Sequence, residues 1–276
     1  MAETPLVHII ILTWNGKADT LECLISLQHL TYANARILVV DNASEDGTGE
    51  AVRNAFPGVE YLQNSSNLRF AGGNNAGIDY ALHHGAEYVL LLNNDTIVEP
   101  EFLSHLIGIA AQRAAAGMFG PKIYYYHEPK RIWFAGGKIA WWQGWLSHIG
   151  IREHDRGQYD EIREVDFLTG CCLMVKREVV ERIGKLDERF FLYGEDVDWC
   201  LRATRAGFKL LYVPSATLWH KLSVSAGGHL SWFKNWNKLK SQLRLMGRYA
   251  RWYHWGTIPL TMIVKIPKMY LRFRSY

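Results

Sequence analysis

Short runs of consecutive apolar residues alternate, through residues 1–120, with stretches of helical periodicity. Val7–Leu12 (VHIIIL), Arg36–Val40 (RILVV), Val59–Leu62 and Glu87–Leu92 (EYVLLL) are short, apolar and bounded by turn residues, which predicts buried strands. Ala18–Leu30 places Leu21, Leu24, Ile25 and Leu27 at roughly helical spacing. Thr48–Phe56 and Pro100–Ala115 also predict helices, as does a segment opened by Gly72-Gly73-Asn74-Asn75 and running to about His84. Apolar strands joined by helical crossovers imply an α/β chain with a Rossmann-like, mostly parallel sheet covered by helices on both faces. Ligands of such sheets bind beyond the carboxyl ends of the strands. Thr13–Asn15, Asp41–Asn42 and Asn93–Asp95 all fall at such ends, so the pattern itself points to one shared crevice.

Beyond residue 120 the periodicity weakens. Residues 121–165 are aromatic (Tyr124–Tyr126, Trp133, Trp141, Trp142, Trp145) and contain Gly136-Gly137, which predicts a hairpin or long loop system inserted in the sheet. Apolar strands return near Gly170–Val175 and Leu210–Val213, with a helix at about Glu195–Ala206 between them. Without an internal repeat or low-complexity linker, the organisation read here is one catalytic domain over 1–225 and a C-terminal extension over 226–276.

Charge sharpens that division. Residues 1–198 carry 17 Lys and Arg against 27 Asp and Glu, whereas residues 199–276 carry 14 Lys and Arg and no acidic residue. Such a split implies an anionic partner for the C-terminal part. The four cysteines, at 23, 171, 172 and 200, form no CxxC pair, which excludes a zinc ribbon or dithiol motif and fits a reducing compartment. No apolar run reaches the ~18–20 residues of a membrane span, and the first residues lack a basic signal-peptide region. A cytoplasmic protein is expected.

The candidate chemistry is a set of acidic, Asn and Gly residues at strand ends. No GxGxxG follows the first strand, and GxxxxGK[ST], GxSxG and HExxH are absent. Asp41, in VVDNASEDGT, reads equally as turn chemistry or as an acceptor for a ribose or base. Asn67 and the Gly72-Gly73-Asn74 run read as an ordinary helix start or as backbone kept bare for a nucleotide. Asp95 ends a buried strand, where a carboxylate caps a turn or holds a divalent ion together with substrate phosphates. Gly194-Glu195-Asp196-Val197-Asp198-Trp199 puts three carboxylates at a helix start, a placement the helix dipole favours in any case. His220 is read first as structural, and Lys221 as solvated or paired with phosphate.

Taken together, IIILTWNG (9–16), VVDNASEDGT (39–48), NLRFAGGNNAGI (67–78), LLLNNDT (90–96) and the long stretch 166–220, which includes FFLYGEDVDWCLR, resemble the family 2 glycosyltransferases of GT-A fold. They resemble especially the bacterial rhamnosyltransferase-like branch. The segments occur in the family's order and cover roughly residues 6–220. The resemblance implies that Thr13, Asn15, Asp41, Asn67, Gly72, Gly73 and Asn74 face a nucleoside-diphosphate sugar, with Asn94, Trp199 and Lys221 also toward substrate. It implies Asp95 and His220 as ligands of Mg2+ or Mn2+. Asp196 would be the general base with Glu195 beside it, and Asp198 and Arg202 would support the helix. Many relatives carry D-x-D where this chain has Asn93-Asn94-Asp95, which implies weaker or phosphate-dependent metal binding. The implied reaction is inverting transfer of a sugar, rhamnose from dTDP-rhamnose as the first expectation and UDP- or GDP-sugars as alternatives. The acceptor would be a hydroxyl of a glycan or lipid-linked acceptor in bacterial surface polysaccharide synthesis.

Two other functions fit less well. A nucleotidyltransferase would show a basic, Gly-rich triphosphate loop early in the chain, and a nucleic-acid-binding protein would pair the basic segment with an RNP, KH or HTH pattern; neither is present. No nucleic-acid partner is expected. Residues 229–252 predict an amphipathic helix with Trp232, Trp236, Leu239, Leu243 and Met246 on one face. Two expectations stay open for it: peripheral contact with an anionic inner-membrane surface, worth ~1 kcal/mol per nearby Lys or Arg, or docking on the catalytic domain or in a homodimer.

Overall fold

The computed structural model describes residues 4–191, 193–222, 232–261 and 263. Its strands are β1 (Val7–Thr13), β2 (Ala35–Asp41), β3 (Glu60–Gln63), β4 (Tyr88–Asn93), β5 (Thr96–Val98), β6 (Ala116–Tyr125), β7 (Glu128–Phe134), β8 (Gly137–Ala140), β9 (Trp145–His148), β10 (Arg163–Glu164), β11 (Cys172–Lys176) and β12 (Lys209–His220). The helices are α1 (Lys17–Leu27), α2 (Thr48–Ala55), α3 (Arg69–His83), α4 (Phe102–Gln112), α5 (Arg177–Ile183), α6 (Glu195–Arg205) and α7 (Trp232–Tyr249).

One large sheet runs in the order β10-β12-β6-β11-β4-β1-β2-β3, with β5 paired to β12 and β7 to β6. The first four strands are parallel, as their helical crossovers require. The sheet then becomes mixed, because β11 enters antiparallel between β4 and β6. Val7, Ile9, Ile10, Ile11, Leu38, Val39, Val40 and Val89–Leu92 are buried, the expected state of strands covered on both sides. The helix α3 lies against β1 and β2, and α4 against β12 and β6.

Several boundaries depart from the sequence pattern. The helix α3 begins at Arg69, three residues before the Gly72-Gly73 pair at which the sequence pattern opens it, so those glycines lie inside its first turns. The last strand does not stop at Val213. It continues to His220 across a register shift between Val213 and Thr217, where Pro214 cannot donate to the ladder. The 121–165 region is indeed built of hairpins, with β8 and β9 forming a separate two-stranded sheet. All four cysteines are free and buried. Among the described residues no helix is long and apolar enough to cross a membrane.

The helix α7 docks on the catalytic domain through only part of the expected face, Met246 buried and Leu239 half-buried. It buries Asn237, Ser241, Leu245, Met246 and Tyr249, whereas Trp236 and Leu243 are exposed; the side chain of Trp232 lies outside the described residues. The reason is a buried carboxylate. Asp198 accepts hydrogen bonds from Tyr249 Oη at 2.7 Å and from Arg248, and it is paired with Arg202 at 2.8 Å within α6. A desolvated carboxylate demands such partners, so polar residues at the C-terminal end of α7 orient the helix in place of its Trp and Leu row.

Candidate active site

Adjacent strand ends bring the predicted residues to one edge of the sheet. In register, Thr13 lies beside Asp41 and Leu12 beside Asn93, so the ends of β1, β2 and β4 are neighbours. Neighbouring strands are about 4.8 Å apart. The strand β11 joins the same edge: Asn93 N–H donates to Cys171 O at 2.9 Å. The residue before it, Gly170, donates its N–H to Asp196 Oδ2 at 2.8 Å. Asp95 and Asp196 both act electrostatically on the buried Cys171 thiol and help burial to push it well above its usual range. Two segments a hundred residues apart, those of Asp95 and Asp196, are thus tied to the same Gly170-Cys171 backbone.

Asp95 meets His220 because β5 follows it immediately. The strand β5 pairs antiparallel with the end of β12, placing Thr96 opposite His220, and Lys221 N–H donates to Asp95 O at 2.9 Å. The side chains meet at 3.1 Å, His220 Nε2 to Asp95 Oδ1. Both are buried. The other ring nitrogen of His220, Nδ1, is buried without a hydrogen-bond partner. Among the described residues no group of three or more His, Cys, Asp or Glu side chains is placed to hold a metal. An oxygen and a nitrogen ligand already in contact fit a cation that takes its remaining ligands from a bound diphosphate, as Mg2+ commonly does. The single carboxylate of Asn93-Asn94-Asp95 accords with that division.

The acidic helix start separates into distinct environments. Gly194, at φ +92°, supplies the left-handed turn from which α6 departs. Asp196 is half-buried and accepts from the N–H groups of Gly170 and Val197, at 2.8 Å each. Burial raises its pKa despite these amides, which work the other way. Glu195 is buried, and its Oε2 has no hydrogen-bond partner. Burial, then the adjacent Asp196 charge, pushes the Glu195 carboxyl up to about 8. Asp198 and Arg202 hold structure together: Arg202 also donates to the carbonyls of Ile183 and Lys185.

On the nucleoside side, Asp41 does perform turn chemistry. Its Oδ1 accepts from Ser44 N–H at 2.8 Å and its Oδ2 from Tyr61 Oη. Asn15, at φ +49°, accepts from Glu45 N–H through its side chain, a conformation Asn tolerates better than most residues. Thr13 Oγ1 contacts Thr20 Oγ1 at 2.9 Å, and Asn94 Nδ2 donates to Thr20 Oγ1 at 3.1 Å, so Asn94 braces the end of β1. Asn67 accepts from Asn42 and from Arg69 N–H. A polar cavity of about 250 Å3 is lined by Asn67, Arg69, Gly72, Glu188 and Phe190.

Four residues stand differently from their sequence reading. Trp199 is fully buried and donates its indole N–H to Gly184 O at 2.8 Å; it is a core residue and touches no open crevice. Gly73 is bare for packing, because a Cβ there would lie 2.4 Å from Leu12 Cδ1 and 2.9 Å from Asn42. Asn74 is buried and spends its amide on Phe70 O. Lys221 is paired with Asp19 and Glu22 of α1, so a phosphate would have to compete with two carboxylates.

Sequence reasoning missed the supports. Asn42 is a hub: it donates to Asn67 Oδ1 and Arg69 O and accepts from Asn64 Nδ2. Trp133 packs edge-on against His220 at 4.6 Å between ring centroids and against His148 at 4.8 Å. His148 is half-buried, and desolvation of its ring lowers its pKa to about 4. The aromatic richness of 121–165 was a signal, but no local spacing pairs residue 133 with 220.

Comparison with known proteins agrees with this architecture. Residues 8–184 match the family model described as Glycosyl transferase family 2. N-acetylglucosaminyl-diphospho-decaprenol L-rhamnosyltransferase of Mycobacterium tuberculosis is 29% identical over 243 residues, covering 81% of this chain and 78% of the relative. Rhamnosyltransferase WbbL of Escherichia coli is 24% identical over 256 residues, covering 88% and 93%. Among solved structures, GalNAc-T7 with UDP, GalNAc and Mn2+ aligns with a TM-score of 0.70 at 17% identity, over 90% of this chain and 48% of that one. A mannosyltransferase from Pyrobaculum calidifontis in complex with GDP-Man and Mn2+ aligns with a TM-score of 0.62 at 19% identity, over 91% and 66%. The fold is GT-A. With most of its length matched and its strand-end carboxylates gathered on one edge, the chain belongs to glycosyl transferase family 2 and is a glycosyltransferase.

Proposed function

We propose that the protein is an inverting, divalent-metal-dependent rhamnosyltransferase acting on dTDP-rhamnose. The acceptor would be a hydroxyl of a glycan or lipid-linked acceptor in bacterial surface polysaccharide synthesis. The observation that carries this reading is the gathering of the Asp95–His220 pair and Asp196 at the carboxyl edge of the sheet, where Asn93 N–H donates to Cys171 O and the adjoining Gly170 N–H to Asp196. The donor is inferred from relatives: a Shigella flexneri protein, 26% identical over 216 residues, is named dTDP-rhamnosyl transferase RfbF.

In this reading Thr13, Asn15, Asp41 and Asn67 line the nucleoside side, and the cavity at Asn67 and Gly72 adjoins it. Gly73, Asn74 and Asn94 shape that wall from behind. Asp95 and His220 would hold the cation, which supplies charge neutralisation to the departing diphosphate. Asp196 takes the proton from the acceptor hydroxyl as oxygen attacks the anomeric carbon from the face opposite the nucleotide. Its two amide donors fix the carboxylate, and each oxygen keeps a second lone pair for the incoming proton. A raised pKa makes it a better base than an exposed Asp, and general-base assistance is worth ~10²–10⁴-fold. Glu195, kept largely neutral at pH 7 by burial, spares Asp196 a second adjacent negative charge. No covalent enzyme intermediate is needed.

Donor profiling by released nucleotide tests the assignment. Acceptor-dependent release of dTDP from dTDP-rhamnose is expected. Turnover with UDP-glucose and none with dTDP-rhamnose would reject the donor while leaving the family intact.

A further inference from the structure

The segment after α7 has an inverted distribution of side chains. Within residues 252–263, His254 and Ile258 are buried, four apart, and so define the inward side. The outward positions are apolar: Trp252 is 85% exposed, Trp255 40%, Leu260 66% and Ile263 69%, and Pro259 is exposed beside them. Trp142, 56% exposed, packs against the same segment. Its ring lies 5.4 Å from Tyr253 and 5.0 Å from His254, and its carbonyl accepts from Thr257 Oγ1. Single exposed apolar residues are ordinary, whereas a contiguous group marks a contact surface.

Two features identify what the surface contacts. Three of these residues are Trp, whose apolar body and single N–H suit the headgroup boundary of a bilayer. Exposed basic residues precede it in the chain, Arg251 directly and Lys240 on α7, and no acidic residue follows Asp198. A second copy of the chain would present the same basic residues across a two-fold interface, placing like charges face to face. An anionic lipid surface complements them. We infer that Trp142, Trp252, Trp255, Leu260 and Ile263 form a surface that rests in the interfacial layer of an anionic bilayer.

The β8–β9 hairpin connects this surface to the site. Trp142 lies in the turn joining the two strands, and His148, at the far end, packs against Trp133, which packs against His220. The four paired positions between them span roughly 10 Å. Docking there would hold the crevice near the headgroup layer, where a lipid-linked acceptor presents its sugar. The inference rests on the proposed function only for that acceptor.

The test is co-sedimentation of the full-length protein with vesicles of phosphatidylglycerol and phosphatidylcholine in equal parts, and with phosphatidylcholine alone, at physiological salt. Neither nucleotide nor acceptor is present, so its failure is separate from failure of the donor assignment. Wild type should partition onto the anionic vesicles. Trp252→Ala/Trp255→Ala/Leu260→Ser should lower the partition at least ~10-fold with an unchanged thermal melt, since the substituted side chains are exposed. Lys240→Glu/Arg251→Glu should reduce binding to the anionic vesicles specifically. Wild type remaining in the supernatant, or the triple variant sedimenting like wild type, would overturn the inference. So would a wild-type dimer, abolished by the triple substitution, that binds no vesicles.

Discussion

Replacing Glu195 by Gln probes the environment that tunes the proposed base. Glu195 Oε2 is buried and unpartnered, and the carboxyl is held at about 8 against an ordinary 4.5. An acid whose folded pKa is raised favours the folded state while protonated. That contribution is complete below pH 4.5 and is lost as the pH rises through 8. Its full size is at most roughly 5 kcal/mol, and the part lost between pH 6 and pH 9 is at most about 3 kcal/mol. Glutamine cannot titrate, so this slope should vanish in the variant. The substitution has its own cost, because the new amide N–H replaces an oxygen that already lacks a partner, leaving a buried donor unsatisfied at about 1–3 kcal/mol. Urea unfolding at half-unit pH steps should therefore show Glu195→Gln less stable than wild type at pH 6. The two curves should approach one another, or cross, by pH 9. Titrating groups other than Asp196, which interacts with Glu195, are common to both proteins and cancel in the difference. Parallel curves across that range would refute the raised pKa and the burial argument behind it.

Gly73→Ala should destabilise by about 1–3 kcal/mol in urea unfolding, since its Cβ would press into Leu12 and Asn42 behind the nucleoside wall. An unchanged midpoint would mean that α3 sits further from β1 than described. Asp95→Ala should weaken metal-dependent donor binding at least ~10-fold by calorimetry. EDTA should bring wild type down to the variant's affinity and leave the variant unmoved; an equal loss in both proteins would place the cation elsewhere.

The parts of the fold that were legible in the sequence are those where one local signal dominates. VHIIIL, RILVV and EYVLLL read as strands because burial on both faces leaves no room for polar alternation, and the turn residues after them marked the edge where the site lies. Longer-range features were not legible. Nothing near Arg69 announces that α3 starts there, because its φ of +63° is imposed by surroundings that include Asn67 and Asn42. Pro214 reads as a stop, yet β12 absorbs it in a bulge, since pairing resumes with β6 and β5 beyond it. Trp199 read as part of an acidic motif facing substrate, but helical geometry turns it into the core while Asp196 reaches Gly170. The face of α7 was only partly legible, for an electrostatic reason: the buried Asp198 claims Arg248 and Tyr249, and two hydrogen bonds to a desolvated carboxylate turn the helix so that Met246 is buried while Trp236 and Leu243 remain exposed.

The most direct measurement of the central claim is single-turnover sugar transfer by Asp196→Asn alongside its donor affinity. Asn must point its amide at one of the two backbone N–H donors that now hold the carboxylate, so some loss of stability is expected and a thermal melt serves as the control. With the protein folded and donor affinity within about threefold of wild type, the rate should fall at least ~100-fold. Transfer at the wild-type rate would contradict the assignment of Asp196 as the group that takes the acceptor's proton.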